Sequence, residues 1–309
     1  VAALYGPRFD VESEVTVTAG ATQAIFTAIA AFVRPGDEVI VFEPVYDSYV
    51  PAIETVGGTA VFAPLKFPDY APDWAQVAQL ISPKTRLIII NSPHNPTGSL
   101  LTAVDLEKLA NLVCGTDIVV LSDEVYEHIL FDGEQHASLC AHAELAQRSI
   151  VVSSFGKTYH ITGWKIGYVV GPADLMAEFR KVHQFNVFTV HTPSQLALAE
   201  YMQDASRHLG LAAFYQEKRD FFRELMAATP FKLLPCRGTY FQLASYAGLS
   251  ELPDRAFAEW MTREIGVAVI PVSVFYANGR DDQVVRFCFA KQESTLRAAA
   301  KRLHQAFAK

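Results

Sequence analysis

Between Glu14 and about Val170, short runs rich in β-branched residues alternate with segments long enough to form helices. EVTVTAG precedes ATQAIFTAIAAFV, DEVIVFEP precedes VYDSYVPAIETVGG, and TRLIIINSP precedes LTAVDLEKLANLVC. DIVVLSDEVY and SIVVSSFGK continue the series. A strand buried on both faces reads as a nearly continuous apolar run, and parallel neighbours need a crossover that is usually a helix. The pattern therefore predicts an α/β domain with a mostly parallel central sheet covered by helices on both faces. The polar clusters TAG, FEP, NSP, SDE and SSF come directly after the apolar runs. In an open α/β sheet this is the carboxyl edge, where ligands bind.

After about Ser206 the rhythm changes. LAAFYQEKRDFFRELMAA, a long helical stretch, leads to FKLLPCRGTYFQLASY, a further helix, GVAVIPVSVF, VVRFCFA and a final helix. Fewer strands, interrupted by helices, predict a smaller α+β domain. The expected division is a large domain over residues 1–206 and a small one over 207–309. The first residues, VAALYG, read as the last turn of a helix stopped at Gly6, so an N-terminal part is expected to be missing.

Charge narrows the ligand class. A formal net charge of -7 disfavours non-specific binding to nucleic acid or an anionic membrane, which leaves small molecules. No apolar run approaches the roughly 18 residues of a membrane-spanning helix. The cysteines Cys114, Cys140, Cys236 and Cys288 form no C-x-x-C pair, and a reducing cytoplasm is expected.

SSFGKTYHITGWKIGY, from Ser153 to Tyr168, suggests a phosphate site. A nucleotide-binding loop would need glycine where Val151 stands, so that reading fails. Lys157 gains weight from residues at other strand ends: Asp123 and Tyr126 in SDEVYEH, Asn95 in NSPHNPTG, Ser154 on its own strand, and Gly20, Ala21 and Thr22 in TAGATQAIF. Each alone has a plain structural reading: a helix N-cap for Asp123, a turn for Asn95, a tight turn before a helix for Gly20. Together they converge on one edge. A lysine amine that bonds a carbonyl, a carboxylate for a pyridinium nitrogen and donors for a phosphate are the parts of a pyridoxal 5′-phosphate site.

These motifs resemble the signatures of the fold type I, pyridoxal-phosphate-dependent class I and II aminotransferases. The resemblance runs from YGPRFDVESEVTVTAGATQAIF to VVRFCFAKQESTL and is strongest toward the branch of methionine and kynurenine–oxoglutarate aminotransferases. It implies that Lys157 bonds the cofactor and later acts as base, that Asp123 partners the pyridine nitrogen, and that Asn95 and Tyr126 bind the ring oxygen. Gly20, Ala21 and Thr22 at a helix start, with Ser154 and Lys165, would hold the phosphate. Tyr46 in EPVYDSY would stack on the ring. Arg286 in VVRFCFA would grip the substrate carboxylate, with Asn95 beside it, and Phe188 would reach the substrate side chain of a neighbouring subunit.

The implied activity is a ping-pong transfer of an amino group from an L-amino acid to a 2-oxo acid. Methionine is the first choice of donor, followed by aromatic amino acids, glutamine or kynurenine. The resemblance also implies a homodimer with shared sites, and an N-terminal arm that these residues lack. A pyridoxal-phosphate-dependent cysteine-conjugate β-lyase and a non-catalytic cofactor-binding sensor domain remain alternatives. No metal is expected: Glu124 and His128 lie four apart on a possible helix, without an evident third ligand.

Overall fold

The computed structural model describes residues 9–307. The expected helix end at VAALYG lies outside them. The larger sheet has seven strands: β1 (Val15–Thr18), β2 (Glu38–Glu43), β3 (Thr59–Pro64), β4 (Thr85–Asn91), β5 (Val119–Asp123), β6 (Ser149–Ser154) and β7 (Gly167–Val170). Their order is β1-β7-β6-β5-β4-β2-β3. The pairs from β3 through β2, β4 and β5 to β6 are parallel, as the continuous apolar runs require.

β7 is the reversed strand, antiparallel to both β6 and β1. The segment carrying Lys157 turns back from β6 directly into β7, through only the short helices Phe155–Thr158 and Thr162–Trp164. Gly167 lets three backbones meet there, since a Cβ would lie 2.7 Å from the Ser153 oxygen and 3.0 Å from the Ala21 nitrogen.

Alternate residues of each strand enter opposite cores. Ile40, Ile88, Val120 and Val151 pack on one face of the sheet. Val39, Leu87, Leu121 and Ile150 pack on the other, with α1 (Ala21–Phe32). α1 buries Ile25, Ala28, Ile29 and Phe32, because it lies between the sheet and the helix Ala173–Asn186. α2 (Tyr49–Thr55) occupies only part of the predicted helix VYDSYVPAIETVGG.

β3 and α3 (Trp74–Leu80) form a strand and helix unit that the sequence reading passes over. β3 is an edge strand and only partly buried, although its run TAVFAP is apolar at every position after Thr59. α4 (Ala103–Val113) follows β4 and starts with a capping box between Thr102 and Asp105.

The second sheet contains β8 (Lys232–Leu233), β9 (Phe241–Ser245), β10 (Ile270–Pro271) and β11 (Val284–Cys288), in the order β10-β11-β9-β8. All its pairs are antiparallel. A separate core containing Phe222, Phe257 and Phe287 stabilises it. No helix among the described residues is long and apolar enough to cross a membrane.

Candidate active site

The carboxyl ends of β5 and β6 and the chain beyond β1 surround a cavity of about 230 Å³. Every residue expected to hold the cofactor lines it, from Gly20 at the start of α1 to Lys165 beyond β6. Gly20 has φ 85 and provides no side-chain cap, so the first N–H groups of α1 are free to meet a ligand. A Cβ on Gly20 would lie 3.3 Å from Lys165 Cε and 3.4 Å from its Nζ. An ammonium is thus held against the positive end of a helix that has no acidic residue in its first turn. An anion placed between them relieves that repulsion. The Ser154 hydroxyl sits beside this cradle and accepts from the Gly156 N–H at 3.2 Å.

Asp123 ends β5 and is 5% exposed. Burial pushes its carboxyl up to about 6, against hydrogen bonds from Tyr49 and Val125 and the charge of Lys157. The Tyr49 hydroxyl donates to Oδ2 at 2.5 Å, and the Val125 N–H donates to Oδ1 at 3.3 Å. A cation inserted beside it, such as a protonated ring nitrogen, supplies the partner that burial withholds.

Asn91 braces this centre. Its amide donates to the Asp123 carbonyl and accepts from the Asn95 N–H, each at 2.8 Å. Asn95 in turn accepts from Arg286 Nη1 at 2.6 Å. The Arg286 guanidinium lies 4.0 Å from the Phe241 ring centre and 5.3 Å from that of Phe275, and burial lowers its pKa. Its hydrogen bond goes to a neutral amide rather than to an acid, so its charge is available to a carboxylate. Lys157, on the one-turn helix after β6, donates to the Tyr240 hydroxyl at 3.0 Å. Tyr46 is half-buried, hydrogen-bonds Thr22 and packs edge-on against Tyr49.

Tyr126 lies in a turn and hydrogen-bonds Tyr240; burial raises its phenol well above the usual range. The same turn corrects the possible helix carrying Glu124 and His128: the chain leaves β5 without forming one. Glu124 instead bonds His136 at 2.7 Å, Ser122 at 2.8 Å and the Leu139 N–H at 3.1 Å, while His128 faces Glu127 at 3.8 Å. Glu124, Glu127 and His136 do bring ligand atoms within 4.8 Å of one another, a grouping the sequence reading missed. Donors already occupy those carboxylates, since Ser153 and Tyr168 also bond Glu127.

Phe188 is not brought to this cavity. It follows the helix Ala173–Asn186 and is 78% exposed. Asn91, Tyr49, Tyr240 and Phe241 join the site from outside the residues expected there. Tyr49 was legible in part, because it follows Tyr46 at helical spacing in EPVYDSY. Tyr240 and Phe241 arrive from the second sheet, and nothing local in GTYF marks them.

A family model described as aminotransferase class I and II matches residues 1–303. Methionine aminotransferase of Escherichia coli (strain K12) is 50% identical over 303 residues, covering 98% of this chain and 78% of that protein. Kynurenine–oxoglutarate transaminase 1 of Rattus norvegicus is 35% identical over 336 residues, covering 98% and 79%. A solved structure of Escherichia coli YbdL, described as identifying a methionine aminotransferase function, superposes with a TM-score of 0.96 at 50% identity, covering 98% of this chain and 80% of its own.

Proposed function

The chain belongs to the class I and II aminotransferases, and we propose that it takes methionine as amino donor and holds pyridoxal 5′-phosphate in the cavity at the strand ends. As an aminotransferase it passes an amino group between an amino acid and a 2-oxo acid. The observation that carries the cofactor reading is the cradle between Gly20 and Lys165, set in one cavity with a buried carboxyl and a second lysine.

The bound cofactor supplies an aldehyde to carry the amino group and a ring that withdraws electrons from the substrate α-carbon. The start of α1, Ser154 and Lys165 hold its phosphate by free N–H groups, a hydroxyl and an ammonium. Asp123 holds a proton on the ring nitrogen, because an adjacent carboxylate favours the cationic form. Asn95 and Tyr126 would donate hydrogen bonds to the ring oxygen, and Tyr46 would supply an aromatic face for the ring. Lys157 would be the amine that holds the aldehyde and, once freed, the base at the substrate α-proton. Arg286 binds the substrate carboxylate through its planar fork, oriented by Asn95 and Phe241.

Preference for methionine rests on the E. coli relative and on VHQFNVFTVHTPSQ, a segment with no arginine to favour a dicarboxylate donor. Aromatic amino acids, glutamine and kynurenine come next. We assign Phe188 to the substrate side of a neighbouring subunit in a homodimer. Support comes from the exposure of Phe185, Phe188, Leu196 and Leu209 on and beyond the helix Ala173–Asn186. The proposed domain division near residue 206 follows the seven-stranded sheet and precedes the four-stranded one. The cysteines are free, which suits a reducing cytoplasm.

A panel of amino donors with separate 2-oxo acid acceptors tests the assignment. Methionine should give the highest kcat/KM, and a dicarboxylate donor should fall well below it. Preference for the dicarboxylate would overturn the substrate reading. Pyruvate and ammonia from a cysteine conjugate without acceptor would point to β-elimination instead.

A further inference from the structure

Thr239 has φ 66, a left-handed conformation that a β-branched residue adopts only under constraint. It is fully buried. Its N–H donates to the Ile129 carbonyl at 3.0 Å, and the N–H groups of Arg237 and Gly238 both donate to Gly98 at 3.0 Å. Gly238 fits because a Cβ there would lie 2.8 Å from Pro93 Cβ and 2.9 Å from the Ile129 oxygen. The Phe289 N–H secures the far side, donating to the Tyr240 carbonyl at 3.1 Å. The strained turn is therefore fastened to the loop that carries Asn95 and to the chain beyond Asp123.

It presents two consecutive side chains to two charged groups of the site. Phe241 lies against the Arg286 guanidinium, and the Tyr240 hydroxyl receives the Lys157 amine. The Tyr240 ring is itself braced, 5.3 Å from Tyr126, 5.7 Å from Tyr215 and 4.7 Å from Phe241. Lys157 Nζ stands 5.6 Å from the Tyr126 ring centre and 5.7 Å from that of Tyr240. A lysine stem is flexible, so an amine that must react needs an external acceptor to fix it.

We propose that Tyr240 is a positioning residue: its phenol holds the Lys157 amine in one place whenever that amine is not covalently engaged. Capture of a carbonyl and movement of a proton then both start from a fixed geometry. The strain at Thr239 is maintained by the surrounding hydrogen bonds and serves to aim this phenol. The proposal rests on the reading that Lys157 bonds pyridoxal 5′-phosphate.

Tyr240→Phe keeps the ring packing and removes the hydroxyl from both Lys157 and Tyr126, so the cofactor-affinity arm also reads any loss at Tyr126. The test follows covalent capture of pyridoxal 5′-phosphate by cofactor-free protein, a step that forms a C=N bond and releases water. Borohydride then fixes the product for mass analysis of the Lys157 peptide. Affinity for pyridoxamine 5′-phosphate, which has no aldehyde, is measured in parallel as a report on the rest of the pocket. Capture should slow by about tenfold to a hundredfold, the range expected when a reacting group loses its orientation, with pyridoxamine phosphate affinity within about twofold. Equal capture rates in both proteins would overturn the role of Tyr240 and leave the cofactor reading standing. A matching loss of pyridoxamine phosphate affinity would also overturn it, assigning Tyr240 to packing. No capture by the unsubstituted protein would remove the cofactor reading, and Tyr240 with it.

Discussion

Asp123 carries a cost that its proposed function explains. Burial raises its folded-state pKa to about 6, above the ordinary carboxylate value of about 4. Between those values the folded protein binds the proton more tightly than the unfolded chain does, so stability falls as pH rises through that window. Asp123→Asn should therefore stabilise the cofactor-free protein at pH 7.5 by on the order of 1–3 kcal/mol, and the gain should vanish near pH 4. Urea unfolding at the two pH values checks this. Turnover should fall at least a hundredfold in the same variant, since a neutral amide does not hold the ring proton. At Arg286 the expected loss is one of binding. Arg286→Gln removes charge-assisted hydrogen bonds worth about 1.5–3 kcal/mol each, so kcat/KM for methionine should drop about a hundredfold in steady-state assays.

At the scale of elements, the start of α1 shows what the sequence records well. TAGATQAIF places a glycine before an uncapped helix, and the structure puts that helix end into the cavity. Gly20→Ala forces a Cβ onto a residue at φ 85 and against Lys165. Pyridoxal phosphate affinity should fall about tenfold, a cost of about 1–2 kcal/mol, with little change in KM for the donor; equilibrium titration checks both. Other elements were less legible, for physical reasons. Apolar continuity marks a doubly covered strand but not its direction, so β7 gives no sign of its reversal. β3 carries an apolar run, TAVFAP, yet lies half-exposed at the sheet edge, so apolar continuity does not tell an edge strand from a central one either. The turn after Asp123 carries SDEVYEH, whose spacing also suits a helix; the hydrogen bonds of Glu124 to Ser122 and His136, set by tertiary packing, accompany the other outcome.

The whole molecule joins two sheets, and the candidate site draws on both: Asp123 and Lys157 from the first sheet line the cavity with Phe241 from the second, and Arg286 reaches it through its bond to Asn95. This explains why Tyr240 and Phe241 escaped a reading of local motifs. Their roles arise from contacts with residues far away in the chain, Lys157 and Arg286 among them. The exposed Phe185 and Phe188 leave an apolar face on the single chain. Sedimentation should give a mass of about twice the 34.1 kDa chain, and Phe188→Asp should shift the protein toward monomer while lowering turnover. The proposed role of Lys157 is to remove, in this cavity, the amino group of methionine. Its most direct test is the amount of 2-oxo acid released from methionine by protein reconstituted with pyridoxal phosphate, with no acceptor present. About one equivalent per chain is expected from the unsubstituted protein and none from Lys157→Ala. No 2-oxo acid from the unsubstituted protein, or equal amounts from both, would contradict it.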